Sequence, residues 1–176
     1  DMAAYRAKKR DAPCLFYRIW LVCGMGPPSS GGITTLQILG ILQQTALDKL
    51  KPASAEAIHL IAEASRLAFA DRNTYIADSD FIPVPTTGLL DPGYLALRAK
   101  EISAKRSMGK AFPGMPGAGM ALRPPQGDQP TGVSTTHLSV IDADGNALSM
   151  TSSIESAFGS RLMVRGFMLN NQLTDF

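Results

Sequence analysis

The sequence predicts a mixed α and β fold, and three observations carry that prediction. Two segments, Thr34 to Leu47 and Ser54 to Ala68, place apolar side chains at helical spacing. Cys14 to Met25 is dense in residues that favour strands, and Thr135 to Ile141 alternates in character from one residue to the next.

Taken in chain order, Cys14 to Met25 combines Phe, Tyr, Ile, Trp, Leu and Val and reads as a strand region. The run Gly26-Pro27-Pro28-Ser29-Ser30-Gly31-Gly32 ends it, because neither ladder nor helix tolerates that density of Gly and Pro, so a loop follows. Leu36, Leu39, Leu42 and Ala46 then line one face of a first helix. Ser54 stands as the N-cap of a second, whose apolar face holds Ala57, Leu60, Ile61, Ala64 and Leu67 or Ala68. A third helix is predicted to start at Asp91-Pro92, where Asp caps and Pro fits the first turn, and to run through Leu95 and Ile102. Between Ser107 and Ser134 eleven of 28 residues are Gly or Pro, so an exposed connector is expected there rather than helix or strand. Thr135 to Ile141 sets Thr, His, Ser and Ile on one side against Thr, Leu and Val on the other, the pattern of a half-buried strand. Asp142, Asp144, Gly145 and Asn146 supply a turn, and Ala147 to Ile154 returns as the second arm of a hairpin.

Composition narrows the function classes. With 176 residues, 45% of them apolar and 18% charged, the chain suits a globular domain and neither a disordered nor a collagen-like one. Its net charge is only +2, and beyond the adjoining Lys8, Lys9 and Arg10 the basic residues are dispersed, which leaves no footprint for nucleic acid or a membrane surface. The apolar stretch from Cys14 to Met25 is interrupted by Arg18 and is too short to span a bilayer. Cys14 and Cys23 can form one disulfide, but two cysteines outside a framework spacing are more often buried or free thiols, so the redox compartment stays open. The first residue is Asp1 rather than an initiator or signal segment, from which we expect a chain that starts in mid-protein.

A hydroxyl is a poor nucleophile near neutral pH unless a base takes its proton. No Gly-x-Ser-x-Gly elbow is present, and the only histidines are His59 and His137. An alternative base is the α-amine of a newly exposed N-terminal Thr, with an ordinary pKa of about 7.7 to 8.0. A Gly/Pro connector leading straight into a strand headed by Thr135-Thr136 has the layout this chemistry needs, a segment to sever and then a rigid strand to hold the nucleophile. The same Thr pair also suits a strand start through β-propensity alone, so the pattern by itself leaves both roles open.

The segment Thr135-Thr136-His137-Leu138-Ser139-Val140-Ile141-Asp142, continuing through Asp144-Gly145-Asn146-Ala147, closely resembles the start of the small subunit of gamma-glutamyltransferases. Phe158-Gly159, Leu169-Asn170-Asn171-Gln172 and Asp175-Phe176 extend the resemblance. Upstream, Pro27 to Gly32, the run from Glu63-Ala64 to Ala70-Asp71-Arg72, and Leu90-Asp91-Pro92-Gly93-Tyr94 are similar to the later part of the large subunit. The resemblance therefore implies that residues 1–134, with the connector at 107–134, correspond to the end of the large subunit, and 135–176 to the start of the small one. It implies an α/β fold that is part of a four-layered αββα sandwich of the N-terminal-nucleophile hydrolases.

The implied chemistry is autocatalytic cleavage between Ser134 and Thr135, followed by attack of Thr135 on a γ-glutamyl amide such as glutathione, with water or an amino-acid or peptide amine as acceptor. No metal or organic cofactor is implied. Ser153 falls where the family usually has a Thr that hydrogen-bonds the nucleophile, and it keeps the hydroxyl without the methyl that restrains the rotamer. Glu155, Gln172 and Asp175 fall at the contact with the substrate α-amino group, and they offer the acceptors an ammonium demands. The interval from Phe158 to Leu169 is slightly shorter than is usual in the family. Its arginine for the substrate α-carboxylate, its serine pair and its oxyanion-hole glycines match no position here, so the chain is expected to be a partial enzyme that depends on the remaining parts of both subunits. Family habit further implies a periplasmic or extracellular location.

Other readings stand beside these. Glu155 and Asp175 also suit solvated surface acids, Ser29 to Gly32 suits a helix cap or an anion-binding turn with the structural role preferred, His59 suits a structural histidine, and His137, on the same side of its strand as Thr135, suits a supporting role or a structural one, the structural one preferred. Two rival functions remain: a cephalosporin-acylase-like amidohydrolase using the same Thr on another acyl group, and a non-catalytic, unprocessed scaffold. Glu155 with Asp175 argues against a purely apolar acyl pocket, and a processed enzyme runs as two chains on a denaturing gel where a scaffold runs as one.

Overall fold

A computed structural model of the chain describes residues 4, 6–117 and 135–172. They fall into two compact units, one within Asp1–Pro125 and the other within Gln126–Phe176.

The first unit opens with strands β1 (Cys14–Tyr17) and β2 (Trp20–Cys23), which pair antiparallel with Tyr17 opposite Trp20 and Cys14 opposite Cys23. The expected strand region is thus a hairpin. Arg18 turns the chain at φ 57°, and its N–H donates to Gln43 Oε1 at 2.7 Å, so a side chain from elsewhere steadies a turn that carries no Gly or Asn. The register brings the two cysteines to a Cα–Cα distance of 4.1 Å, and they form a disulfide, which corrects the preference for free thiols.

Helix α1 (Gly31–Leu42) begins three residues before the apolar spacing suggested and stops earlier than Leu47. The Leu42 carbonyl at its end accepts from the Thr45 N–H at 3.0 Å and from Thr45 Oγ1 at 2.7 Å, and a 3₁₀ turn at Leu47–Lys49 follows. Helix α2 (Ala55–Tyr75) is capped as expected, with Ser54 Oγ accepting from the Ala57 N–H at 3.2 Å. After the single turn α3 (Thr86–Leu89), helix α4 (Pro92–Ala99) starts under Asp91, whose Oδ1 accepts from the Tyr94 N–H at 2.8 Å. It ends before Ile102, which packs against the core beyond the helix end. Ile41, Leu42, Leu60, Ala64, Leu67 and Leu95 form that core where α1, α2 and α4 meet. Gly40 allows the approach, because a Cβ there would lie 2.5 Å from Leu95 Cδ1.

The buried stripe of α2 also holds two acids, Glu63 and Asp71. Asp71 is fully buried, and its carboxylate accepts from Gln37 Nε2 at 3.0 Å, Tyr94 Oη at 2.6 Å, Arg98 NH2 at 3.2 Å and the Gly114 N–H at 2.8 Å. Burial first, and then the bond to Asp71, push the Tyr94 phenol well above its ordinary value, so it stays a donor throughout the physiological range. Glu63 accepts from Ser107 Oγ at 2.9 Å and the Met108 N–H at 2.7 Å, and Arg98 NH2 donates to the Phe112 carbonyl at 2.8 Å. The described part of the expected connector, residues 107–117, is therefore docked along α2 rather than free, and Met108 packs against the core. The rest of the connector, with Ser134, lies outside the described residues.

The second unit contains β3 (Thr135–Ile141) and β4 (Ala147–Ser153), an antiparallel pair, and the two-residue strands β5 (Met163–Val164) and β6 (Phe167–Met168). The expected half-burial of Thr135 to Ile141 is not found, since all of β3 is exposed. The alternation is kept, but the described residues supply no layer to cover the Leu138 and Val140 face, where those side chains stay 36% and 53% exposed.

Arg98→Ala is expected to destabilise the first unit by about 3 to 5 kcal/mol, because it removes the cation paired with the buried Asp71 charge and leaves that charge with neutral donors. Denaturant titration of the variant against the parent chain measures this; a loss no larger than that of an exposed Arg→Ala control would refute it.

Candidate active site

The β3–β4 register places Thr135 opposite Ser153, His137 opposite Thr151 and Ser139 opposite Ser149 on one face, with Thr136, Leu138 and Val140 on the other. The turn sets that register. Asp142 Oδ1 accepts from the N–H groups of Asp144 at 3.0 Å and Asn146 at 2.8 Å, its Oδ2 accepts from Asn146 Nδ2 at 2.8 Å, and Gly145 takes φ 83°. The Asn146 side chain, with the backbone donors, holds the Asp142 carboxyl below its ordinary value.

At the far end of the ladder Thr135 Oγ1 donates to Ser153 Oγ at 3.2 Å, and the Glu155 N–H donates to the same Ser153 oxygen at 2.9 Å. A hydroxyl oxygen that accepts from a backbone N–H keeps its own proton available, so Ser153 can exchange donor and acceptor roles with Thr135 as charge develops. Glu155 has φ 69°, a left-handed conformation that is costly for a residue with a Cβ.

Gln172 lies beside Asn171, and that asparagine links its segment to the one carrying Glu155. Asn171 Oδ1 accepts from the Ser156 N–H at 3.1 Å, Asn171 Nδ2 donates to Ser156 Oγ at 3.2 Å, and the Asn171 N–H donates to the Ile154 carbonyl at 3.4 Å. Sequence reasoning gave Asn171 no role; a short amide side chain next to a proposed ligand is the signal that could have pointed to it. The loop between is closed by Ser160 N–H to the Leu169 carbonyl and Leu169 N–H to the Leu162 carbonyl, both 2.9 Å. Gly159 is required there, since at φ 50° a Cβ would fall 2.0 Å from the Leu169 carbonyl oxygen. The structure thus joins Thr135 to Ser153, and the Glu155 segment to the Gln172 segment. Asp175 lies outside the described residues.

In the first unit, the Gly/Pro/Ser loop before α1 is structural. Ser30 Oγ accepts from Arg72 Nε at 3.2 Å, and a Cβ on Gly32 would lie 2.2 Å from the Met25 carbonyl oxygen. His59 Nε2 donates to the Ser103 carbonyl at 2.7 Å, which likewise gives it a structural role. Among the described residues no group of three or more His, Cys, Asp or Glu is placed to hold a metal ion.

The family model for gamma-glutamyltranspeptidase matches residues 1–176. The chain belongs to this family. It is 39% identical to the glutathione hydrolase proenzyme of Escherichia coli, over all of this chain and 29% of that protein. The crystal structure of Helicobacter pylori gamma-glutamyltranspeptidase matches 65% of this chain and 34% of its own, with 35% identity and a TM-score of 0.62. That of a cephalosporin acylase from Bacillus halodurans matches 99% of this chain and 29% of its own, with 25% identity and a TM-score of 0.80. The chain spans less than a third of the length of the curated glutathione hydrolase proenzymes it matches first.

The depressed Asp142 titration gives a pH dependence with a definite sign. A carboxyl whose folded pKa is lowered contributes its stabilisation fully above its ordinary, unfolded value and loses it as the pH falls through the lowered one. Amide exchange at Asp144 and Asn146 is therefore expected to quicken on acidification through that range, and in Asp142→Ala to be fast at every pH. Exchange independent of pH after correction for the intrinsic rate counts against the turn as the register device.

Proposed function

We propose that this chain is the processing junction and nucleophile-bearing part of a gamma-glutamyltransferase and glutathione hydrolase, with Thr135 as nucleophile. The observation that carries the proposal is the Thr135–Ser153 hydroxyl pair at the head of β3 in a chain matched throughout by the family model. In the precursor, Thr135 Oγ attacks the Ser134 carbonyl carbon, the peptide C–N bond gives way to an ester, and water cleaves that ester to leave Ser134 as a carboxylate and Thr135 with a free α-amine. That amine then takes the hydroxyl proton as Thr135 attacks the γ-carbonyl of the donor. The proton passes to the leaving amine, a γ-glutamyl ester remains, and water or an acceptor amine releases it. Ser153 steadies the Thr135 oxygen, while Glu155, Gln172 and Asp175 take the donor's α-ammonium, an arrangement supported by the Asn171 bridge between the first two of these segments.

The four-layered sandwich belongs to the same proposal, as do the remaining subunit parts, which would supply the α-carboxylate and oxyanion contacts. A periplasmic or extracellular location is supported by the Cys14–Cys23 disulfide, since such bonds persist in oxidising compartments. An acylase reading is favoured by the likeness to the cephalosporin acylase along 99% of the chain. Parallel assays on γ-glutamyl and glutaryl anilides separate the two, because only the γ-glutamyl donor carries the ammonium that Glu155 and Asp175 would bind.

In a proenzyme carrying this sequence, Thr135→Ala is expected to abolish both cleavage and turnover, and Thr135→Ser to keep part of each. Mass spectrometry for an N-terminus at position 135, followed by release of a chromogenic amine, reads both. Protease-free splitting of the Thr135→Ala protein at this bond would sink the proposal.

Asp175→Ala is expected to spare processing and to lower kcat/KM for the γ-glutamyl donor, with a loss of about 2 to 5 kcal/mol if a desolvated charge partner is removed. Unchanged kinetics would make Asp175 a surface acid.

A further inference from the structure

The nucleophile face of β3–β4 carries more hydrogen bonding than Thr135 and Ser153 account for. His137, the next residue of that face, uses both ring nitrogens: Nδ1 lies 2.8 Å from Thr151 Oγ1, and Nε2 lies 3.3 Å from Ser139 Oγ and 3.2 Å from Ser149 Oγ. Two arrangements satisfy it, Nδ1–H donating to Thr151 with Nε2 accepting from a serine, or Nε2–H donating to a serine with Nδ1 accepting from Thr151. In either, one imidazole ties β3 to β4 at the pair that follows Thr135–Ser153 on the same face, two rungs along the ladder, and braces the next pair of that face, Ser139–Ser149.

That rung matters because of what cleavage does to the strand. In the precursor, Thr135 is held from both sides by peptide bonds. Once it heads a new chain it occupies the last position of an exposed ribbon, and terminal residues fray unless something holds them. The Thr135–Ser153 contact is a single hydrogen bond of 3.2 Å between two rotatable hydroxyls and is weak as a clasp. The His137 clasp, next on that face, is better built, because the ring is rigid and engaged at both ends.

We infer that His137 is a positioning residue, whose cross-strand contacts hold the processed end of β3 in register so that the Thr135 hydroxyl and amine stay beside Ser153. The inference rests on Thr135 being the nucleophile. His137 touches no reacting atom, so its removal displaces the nucleophile without altering donor contacts. It also acts more on the cut chain than on the uncut one.

The test uses a proenzyme carrying this sequence, with His137→Ala, His137→Asn, Thr151→Val and the double variant His137→Ala/Thr151→Val. Processing rate, kcat and KM are measured for each. Displacing a reacting group by a fraction of an ångström to 1 Å lowers rates by about tenfold to a hundredfold, and a fall of this order is expected in kcat for His137→Ala, with KM unchanged and processing slowed less. Thr151→Val removes one hydroxyl at constant shape and should lower kcat in the same direction. The double variant should be no worse than His137→Ala alone, because both changes break one contact. His137→Asn, whose amide reaches the Nδ1 position, should recover part of kcat. Should His137→Ala fail to fold, Thr151→Val and His137→Asn decide the matter. Wild-type kcat in the folded single variants, or losses that multiply in the double, overturn the inference while Thr135-dependent turnover persists. Turnover or cleavage that survives Thr135→Ala overturns instead the reading on which it rests.

Discussion

A carboxylate with no solvent exposure organises the first unit. Asp71 must find donors within the protein, since an unpaired buried charge costs several kcal/mol. Its donors come from Gln37 on α1, Tyr94 and Arg98 on α4 and the backbone at Gly114, so satisfying one group fixes three other segments around α2. Close approach follows. Gly40 and Gly114 stand where a Cβ would meet Leu95 and Tyr94, at 2.5 Å and 2.3 Å, so the glycines belong to the same solution. Such a buried network contributes more to a single arrangement of the helices than to raw stability, because desolvation offsets much of its Coulombic gain.

The second unit meets an equivalent constraint through register. A slip of one residue in β3–β4 would carry Thr135, His137 and Ser139 to the apolar face and separate the Thr135 hydroxyl from that of Ser153. The turn that prevents the slip lies at the other end of a seven-residue strand, about 23 Å from Thr135 at the usual rise. Asp142, with no part in the chemistry, therefore bears on whether the two hydroxyls meet.

Local chemistry was legible in the sequence wherever a residue acts on its near neighbours. Ser54 and Asp91 cap the helices they were expected to cap, and the Asp142 to Asn146 turn joins the arms that alternation had marked. Features that depend on distant partners were not legible. The Arg18 turn needs Gln43, the disulfide needs the register which that turn creates, and the docking of residues 107–117 needs Glu63, Asp71 and Arg98. A partial signal existed, because Glu63 and Asp71 interrupt an otherwise apolar helical stripe, a position where an acid implies a buried partner. At the site, resemblance nominated Thr135 and Ser153, and pairing explains how they can act together. No such pattern pointed to Asn171, whose role exists only once two loops fold against each other.

The two faces of the β3–β4 ribbon divide the work of holding the proposed nucleophile, Thr135. One face carries hydroxyls and an imidazole in successive cross-strand contacts, and water can reach all of them. The opposite face carries Leu138, Val140, Leu148 and Met150, which remain 36% to 53% exposed. A two-stranded ribbon in that condition is marginal, because side-chain hydrogen bonds between exposed groups contribute little net stability and the burial that would compensate has not occurred. Stability of the ribbon as a whole must then come mainly from whatever layer covers the apolar face, which is what the proposed sandwich would provide, while the His137 contacts fix the register of its Thr135 end. Positioning and anchorage thus reside on opposite sides of the same two strands. The alternation of polar and apolar residues from Thr135 to Ser153 is, on this account, a requirement of the proposed catalysis as much as of the fold.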